Sequence, residues 1–443
     1  MDRKWHIDAG ELILTDATSY RRISQVNLKV LRNELIDIFL QTNEIKLHDP
    51  HLDLYSEENL NLDLGNFSKI HIKEASALAY ISLEPFMDES EIQACRMYFL
   101  PKIHKLDENT TIPPPLIPGK PIVRPICASN GWVTYNVSTY LDIVLRPLVY
   151  NIPTYIKDSD AFINILESKS FPPETTFMAA DVESLYPSID IDEGLRALEQ
   201  EMTRGKWDHN KIKQTLLLTE WVLRNNVTEF NGKTYLQLQG TAMGTPCAVV
   251  FACLFMSNVE KQVERQLQTA KQPLPILIKR FIDDYLIAYR YKSQCELFLH
   301  KLNNMRTNIK VTASISDQQA IFLDLLIYKG PRLQESNRLD IRLYEKPINK
   351  FLYLPGTSYH PHHVNRSWIQ NSTQRIRLRN TEDCYHTSCI TNLRDRLIAR
   401  GHNIDNLQDI FDRTIQRTQL IEKNQSSTNR NRSQHPRTNG RQT

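Results

Sequence analysis

Two adjacent aspartates, Asp283 and Asp284, interrupt the apolar run ILIKRFIDDYLIAYR at residues 276–290. Burying two neighbouring carboxylates costs several kcal/mol unless a cation pairs with them, and no basic residue follows closely enough within the run to do so. Mg²⁺ prefers carboxylate oxygens together with substrate phosphates as ligands, so a divalent cation bound here would offset the cost. Taken alone, the pair is explained equally well as an ordinary solvent-exposed turn.

A third aspartate, Asp181, stands near the end of another apolar run, TTFMAADV at residues 175–182. A carboxylate at a strand end beside a carboxylate pair at a hairpin tip makes a cluster that can hold two metal ions. Two such ions, about 3.5–4 Å apart, activate a hydroxyl and stabilise a leaving pyrophosphate. Phosphoryl transfer depends mainly on positioning and charge neutralisation. We therefore expect Asp181, Asp283 and Asp284 to bind two Mg²⁺ or Mn²⁺ ions.

The elements that position these carboxylates can be predicted from apolar periodicity and turn residues. The run at 276–290 predicts a strand, a tight turn and a second strand, and residues 175–182 predict a further strand. Asn231-Gly232 between alternating runs predicts a hairpin. A glycine-rich turn at residue 240 leads into a helix that ends near residue 267. Further helices are predicted at 134–165, 191–203, 209–225 and 293–306, and further strands in RMYFLPKIHK, KPIVRPICAS, IKVTAS, AIFLDLLIY and RLDIRLYEK.

Composition is that of an ordinary globular chain. Of its 443 residues, 41% are hydrophobic and 24% charged, and the net charge is +3. No run of eighteen apolar residues occurs, so we expect no membrane span. Seven scattered cysteines predict reduced thiols and an intracellular location. Residues 424–443 carry four arginines and no acid, which is typical of a disordered solubilising tail or of a phosphate-binding one.

Several motifs in a fixed order carry a family resemblance. FMAADVESLYPSI resembles motif A of reverse transcriptases, QGTAMGTPCA resembles motif B and FIDD resembles motif C. More closely, LPKIHK, SLYPSI, GTAMGTP, FLDL and LYEKPINKFLYLPGTSYHPHHV are similar to Penelope-like retroelement reverse transcriptases. Two features depart from that pattern. Ala9 replaces the lysine of an N-terminal "DKG" segment. No GIY…YIG pair, the signature of the C-terminal endonuclease of many members, follows residue 330, so the chain resembles endonuclease-lacking members or a fragment of a longer element.

The resemblance implies roles for individual residues. Asp181 and Asp283 match the metal-binding carboxylates, and Asp284 the supporting one. Lys102 and Arg124 match basic residues that hold the triphosphate, a task that suits the planar donor fork of arginine. The remaining matches are Tyr186, a ring that excludes a ribose 2′-hydroxyl; Gln239 and Gly240, template and nucleotide contacts; and Lys310, which is either the proton donor to pyrophosphate or a plain surface lysine.

The implied architecture is an α+β right-hand polymerase fold with an antiparallel palm sheet. We expect an N-terminal region at 1–75, fingers at 76–170, a palm at 171–330, a mostly helical thumb at 331–423 and the tail at 424–443. Arginines between residues 375 and 400 either grip nucleic acid or form salt bridges on a solvated helix face.

The implied reaction adds deoxynucleotides to a DNA primer on an RNA template, and an element that joins chromosomal DNA must reach the nucleus. The alternatives are a catalytically inactive nucleic-acid-binding relic and an RNA-dependent RNA polymerase.

Overall fold

The structure is a computed structural model. It describes residues 94–102 and 123–417, apart from residues 307 and 348, together with scattered positions between residues 7 and 38. The strands are β1 (Tyr20–Ile23), β2 (Cys95–Pro101), β3 (Val123–Cys127), β4 (Thr176–Val182), β5 (Val227–Phe230), β6 (Lys233–Gln237), β7 (Leu277–Phe281), β8 (Asp284–Tyr289), β9 (Val311–Ser316), β10 (Gln319–Phe322), β11 (Leu325–Tyr328) and β12 (Asp340–Leu343). The helices are α1 (Tyr135–Tyr150), α2 (Ser159–Ser168), α3 (Leu185–Ser188), α4 (Ile191–Arg204), α5 (His209–Arg224), α6 (Ala248–Thr269), α7 (Lys292–Asn303), α8 (Pro331–Ser336), α9 (His362–Leu378) and α10 (Asp383–Ala399).

The fold is of the α+β class, as predicted. The described strands form sheets with the orders β1-β6-β5-β2-β3, β7-β8-β4-β9 and β10-β11-β12. In the first sheet, β2 pairs antiparallel with β3 and parallel with β5. The predicted hairpin is β5–β6, whose turn residues Asn231 and Gly232 both have positive φ, of 50° and 69°. Such a two-residue turn matches the right-handed twist of the strands that it joins.

The sheet β7-β8-β4-β9 carries the three aspartates, and its apolar runs explain why it forms. Every residue of β4 is buried except Ala179 and Asp181, which are half-buried. In β8 every residue after Asp284 is buried. Runs that are apolar on both faces are typical of strands covered on both sides.

Two predicted elements are wrong in extent. The helix expected over 134–165 is two helices, because the chain leaves the helix at Asn151 and meets Pro153, which has no N–H to continue it. The second helix restarts at Asp158, whose side chain accepts a hydrogen bond from the backbone N–H of Ala161 at 2.8 Å. The segment AIFLDLLIY is likewise two strands, β10 and β11, because Leu323 adopts a φ of 58° and reverses the chain.

The chain divides into two compact units. The first comprises Met1–Tyr155, Ala180–Ile287 and Ser293–Ser314, and the second Ile156–Ala179, Ala288–Lys292 and Ile315–Thr443. The second unit has a core among α9, α10 and a helical stretch at 404–417, built from Ile369, Ile376, Leu393, Leu397, Leu407 and Phe411. In the part of the chain that the structure describes, no helix is both long and apolar enough to cross a membrane.

Candidate active site

The end of β4 lies between the β7–β8 turn and the start of β9. The backbone N–H of Val182 donates to the Asp283 carbonyl at 3.1 Å, and that of Glu183 donates to the Lys310 carbonyl at 2.8 Å. Both bonds lie within the first unit, which also contains every predicted site residue. The fold therefore brings the chain at Asp181 beside the chain at Asp283 and Asp284, as the strand-end interpretation requires.

The turn that carries Asp283 is unusual for its sequence. Only Ile282 and Asp283 connect β7 to β8, and a connection this short joins antiparallel strands. Ile282 has a φ of 58°, in the left-handed region that a β-branched residue rarely adopts. Holding such a residue there costs about 1–3 kcal/mol, so the surrounding contacts must impose it.

All three aspartates are half-buried, and carboxylates are the donors that Mg²⁺ and Mn²⁺ prefer. In donor chemistry and in backbone placement, these residues suit a divalent cation. Among the described residues, however, no three His, Cys, Asp or Glu side chains form a group arranged to hold a metal ion. Metal binding at Asp181, Asp283 and Asp284 therefore remains a prediction.

Tyr186 and Gly240, matched from two different motifs, contact each other through the backbone. The N–H of Thr241 donates to the Tyr186 carbonyl at 2.9 Å. Gly240 has a φ of 70°, and a Cβ added to it would lie 2.3 Å from the Tyr186 carbonyl oxygen and 2.5 Å from the Pro187 Cα. Only glycine allows this approach. The structure thus places Gly240 against the Tyr186 backbone, while its contact with a nucleotide stays a prediction.

The Tyr186 phenol lies near the aspartate turn. Burial raises the pKa of this phenol above its ordinary value, and the nearby Cys253 and Asp283 raise it further. The hydroxyl is therefore protonated throughout the physiological pH range. A sugar bound beside Asp283 would meet a neutral ring.

The second glycine of the same turn, Gly244, contacts β3. Its φ is 118°, and a Cβ added there would lie 2.2 Å from the Cys127 carbonyl oxygen. The Cys127 N–H donates to the Met243 carbonyl at 2.8 Å. Close backbone approach at both glycines therefore fixes the 240–244 turn between Tyr186 and the strand that carries Arg124.

The predicted phosphate-binding residues lie at one end of the β2–β3 hairpin. Arg124 is exposed and faces Leu100 across the pair, and Lys102 follows directly after Pro101, which faces Val123. The pairing places both residues at the same end of the hairpin, and their contact with phosphate stays a prediction. Gln239 is exposed just before Gly240 and accepts a hydrogen bond at its carbonyl from Gln237 Nε2 at 2.7 Å.

Lys310 lies beside the end of β4, where both of its interpretations remain open. Its side chain is 72% exposed, and Nζ lies 3.5 Å from the Glu183 carboxylate. Glu183 follows Asp181 by two residues, so the lysine is close to the predicted metal site. An exposed surface ion pair of this length contributes at most about 1 kcal/mol to stability.

The arginines between residues 375 and 400 are engaged within the second unit. The Asp324 carboxylate forms ion pairs with Arg375 Nη2, at 2.7 Å, and with Arg379 Nε, at 2.8 Å. The other contacts are Arg377 with Asp383 at 3.2 Å, Arg394 with Asp395 at 3.4 Å, Arg396 with Glu345 at 2.9 Å, and Arg400 Nε with the Tyr353 carbonyl at 2.8 Å. These contacts favour the salt-bridge interpretation over a grip on nucleic acid.

A buried ion pair behind the aspartate turn was not predicted from the sequence. Arg280 and Glu260 are 0% and 6% exposed, with Arg280 Nε 2.5 Å from Glu260 Oε1. Burial alone lowers the pKa of the guanidinium, but Glu260 and Tyr285 more than reverse this and the net pKa is raised. A charged residue in an apolar strand must find a buried partner, so Arg280 within ILIKRF was the available signal. Its partner lies on α6, which the strand pattern does not reveal.

Part of the chain is similar in sequence to known polymerases. Residues 136–316 match the family model described as reverse transcriptase (RNA-dependent DNA polymerase). The telomerase reverse transcriptase of Oxytricha trifallax is 28% identical over 109 residues, which is 24% of this chain and 9% of the relative. The match thus spans a small part of that relative's length.

Solved polymerase structures are similar only at the level of a partial superposition. Telomerase from Candida albicans, in complex with a TWJ fragment of telomeric RNA, matches with a TM-score of 0.45 and 13% identity, over 68% of this chain and 54% of that one. The BmCPV RNA-dependent RNA polymerase at elongation state matches with a TM-score of 0.43 and 10% identity, over 81% of this chain and 33% of that one. Likenesses at this level say nothing about substrate.

Proposed function

We propose that the chain, in which residues 136–316 match the reverse transcriptase (RNA-dependent DNA polymerase) family model, adds deoxynucleotides to a primer 3′-end on an RNA template. The observation that supports this best is the hydrogen bond from Val182 N–H to the Asp283 carbonyl at 3.1 Å. It joins the strand end at Asp181 to the turn at Asp283 and Asp284. Two half-buried carboxylate segments side by side are what a two-metal phosphoryl transfer site needs.

Asp181, Asp283 and Asp284 would hold the Mg²⁺ or Mn²⁺ ions. Ions bound there would supply charge neutralisation at the phosphates and activation of the primer hydroxyl. Lys102 and Arg124 would bind the β- and γ-phosphates of the incoming nucleotide from the β2–β3 hairpin. An arginine fork donates two parallel hydrogen bonds to such a group, and the exposure of Arg124 leaves it available for that contact.

Tyr186 would select the sugar. Gly240 lies against the Tyr186 carbonyl, so the backbone that carries the ring is held by a close backbone contact. The neutral phenol offers no carboxylate to accept a hydrogen bond from that hydroxyl. Gln239, exposed just before Gly240, would contact the template, and Lys310 would supply a proton to the leaving pyrophosphate.

We further assign the chain to the Penelope-like retroelement type with a right-hand fold. Fingers would occupy 76–170, the palm 171–330 and the thumb 331–423, after an N-terminal region at 1–75. The motif run from LPKIHK to LYEKPINKFLYLPGTSYHPHHV supports this type. Its partners would be an RNA template, a DNA primer and deoxynucleotides, and it would act in the nucleus.

Primer extension on poly(rA)–oligo(dT) tests the proposal. We would compare dTTP with UTP, in Mg²⁺ and in Mn²⁺, for the native chain and for Asp283→Asn. Asp192→Asn is the matched control, since Asp192 is 62% exposed and pairs only at the surface with Arg224. Extension with dTTP alone, lost in Asp283→Asn and kept in Asp192→Asn, is expected. Preference for UTP would point to an RNA polymerase, and hybrid binding without extension to an inactive relic.

A further inference from the structure

The guanidinium of Arg280 lies directly behind the turn that carries Asp283. This side chain is fully buried, at 0% exposure, three residues before Asp283. A buried charge is tolerated only when it is paired and its donors are satisfied. The arginine fork is rigid and planar, so the positions of its acceptors are fixed relative to one another.

Each part of the fork contacts a different group. Nε donates to Glu260 Oε1 on α6 at 2.5 Å, and Nη2 donates to the Cys253 carbonyl, also on α6, at 3.1 Å. Nη1 donates to the Ile282 carbonyl at 2.9 Å. The side chain therefore connects the middle of a buried helix to the first residue of the aspartate turn.

The helix side of this connection is itself held in place. Glu260 Oε1 also accepts from the Tyr285 hydroxyl at 2.6 Å, and Oε2 accepts from Thr154 Oγ1 at 2.5 Å. The Arg280 backbone N–H donates to the Thr154 carbonyl at 2.7 Å. With both carboxylate oxygens satisfied, the Glu260 head group has one orientation, which in turn fixes the fork.

The fixed position of the Arg280 guanidinium matters for the turn that carries Asp283. Ile282 stands in the left-handed region, which a β-branched side chain disfavours, and its carbonyl precedes Asp283 by one peptide bond. We infer that Arg280 is a positioning residue for Asp283, holding the Ile282 peptide in its strained conformation so that the carboxylates of the turn point to the end of β4. The inference deepens the proposed polymerase function and rests on it for its kinetic consequences.

The test separates positioning from simple stabilisation. Arg280→Lys keeps the charge and can still pair with Glu260, but one ammonium cannot reach Glu260, Cys253 and Ile282 with the same fixed geometry. Thr154→Val is the matched control, because it removes a hydrogen bond from the same carboxylate without touching the turn. If Arg280→Lys does not fold, Glu260→Gln is used instead, since it keeps the shape of the side chain but removes its charge and one of its two acceptor oxygens.

Two readouts are compared, hydrogen–deuterium exchange of the peptide covering residues 281–285 and steady-state extension kinetics. We expect faster exchange in that peptide for Arg280→Lys only, and a fall in kcat of about 10- to 100-fold, since small misplacements at a reacting centre have effects of that size. The KM for dTTP should stay within about twofold, because Lys102 and Arg124 are untouched.

Equal exchange of this peptide in Arg280→Lys and Thr154→Val would overturn the inference, and so would equal kcat values. If the native chain does not extend a primer at all, the proposed function fails. The exchange comparison still decides whether Arg280 holds the turn, so the two failures are distinguishable.

Discussion

Replacing Gly240 by alanine perturbs the contact between the 240–244 turn and Tyr186. The added Cβ would lie 2.3 Å from the Tyr186 carbonyl oxygen and 2.8 Å from the Pro187 carbonyl carbon. Both obstacles are backbone, so neither can rotate away as a flexible side chain would. Either the 240–244 turn or the segment at Tyr186 must move.

The expected loss of unfolding free energy in Gly240→Ala has two contributions. Placing a side chain at the left-handed φ of 70° costs about 1–2 kcal/mol. Relieving the overlap adds about 1–3 kcal/mol, the usual range for overpacking a well-packed interior. We therefore expect the free energy of unfolding to fall by about 2–5 kcal/mol.

Gly232→Ala is the matched control for this change. Gly232 has a nearly identical φ of 69° and nothing within 4 Å of the added Cβ, so only the conformational part applies. Urea unfolding gives the free energy of unfolding of each variant. The difference between the two values is the contribution of the steric overlap at Gly240. Extension with dTTP and UTP shows the functional effect, and we expect discrimination to weaken in Gly240→Ala alone. Equal free energies of unfolding in the two variants, with unchanged discrimination between dTTP and UTP, would refute the role of the Gly240–Tyr186 contact in that discrimination.

Three further predictions concern single side chains. Tyr186→Ala should raise UTP incorporation at least several-fold whereas Tyr186→Phe should not, because the ring rather than the hydroxyl excludes the 2′-hydroxyl; competition between the two nucleotides measures this. Asp324→Asn should destabilise the second unit by about 1–3 kcal/mol, measured by urea unfolding, since two arginines lose a partly buried partner. Burial acts to raise the pKa of Asp324, but Ser159, Arg379 and Arg375 lower it overall, so its stabilisation is present above about pH 4 and lost as pH falls further, and the variant should lack that component. Lys310→Met should leave stability unchanged and lower kcat only if the lysine donates a proton to pyrophosphate; unaltered kinetics would identify it as a surface residue.

The segments that carry the aspartates could be predicted because their signals are local. The apolar runs ending at Asp181 and flanking Asp283 predicted β4, β7 and β8, and Asn231-Gly232 predicted the β5–β6 turn. In each case the strand period or the turn residue acts within a few positions of the sequence. The α+β class was implied by the motif resemblance.

Features that depend on tertiary contacts were not predicted. Nothing in the sequence indicates that Leu323 reverses the chain, since leucine has no preference for a positive φ and only the packing imposes it. The split of AIFLDLLIY was missed for that reason. The left-handed Ile282 arises in the same way, since its carbonyl is held by a guanidinium whose partner, Glu260, lies on another element.

Residue roles were harder to assign than residue types. Motif order predicts that Gly240 contacts a nucleotide, and the structure adds a close approach of Gly240 to the backbone of Tyr186 and Pro187. An arginine-rich segment has the composition of a nucleic-acid grip and also of a helix pair joined by salt bridges. Only the positions of partners such as Asp324 and Glu345 distinguish the two.

Templated DNA synthesis is the central claim, and copying a defined RNA of mixed sequence tests it most directly. The native chain and Asp283→Asn would each be incubated with that RNA, an annealed DNA primer, all four deoxynucleotides and Mg²⁺, and the products would be sequenced. We predict a DNA strand complementary to the RNA from the native chain and no extension from Asp283→Asn. Products unrelated to the template, or equal synthesis by the variant, would contradict the assignment of Asp283 to an RNA-directed DNA polymerase site.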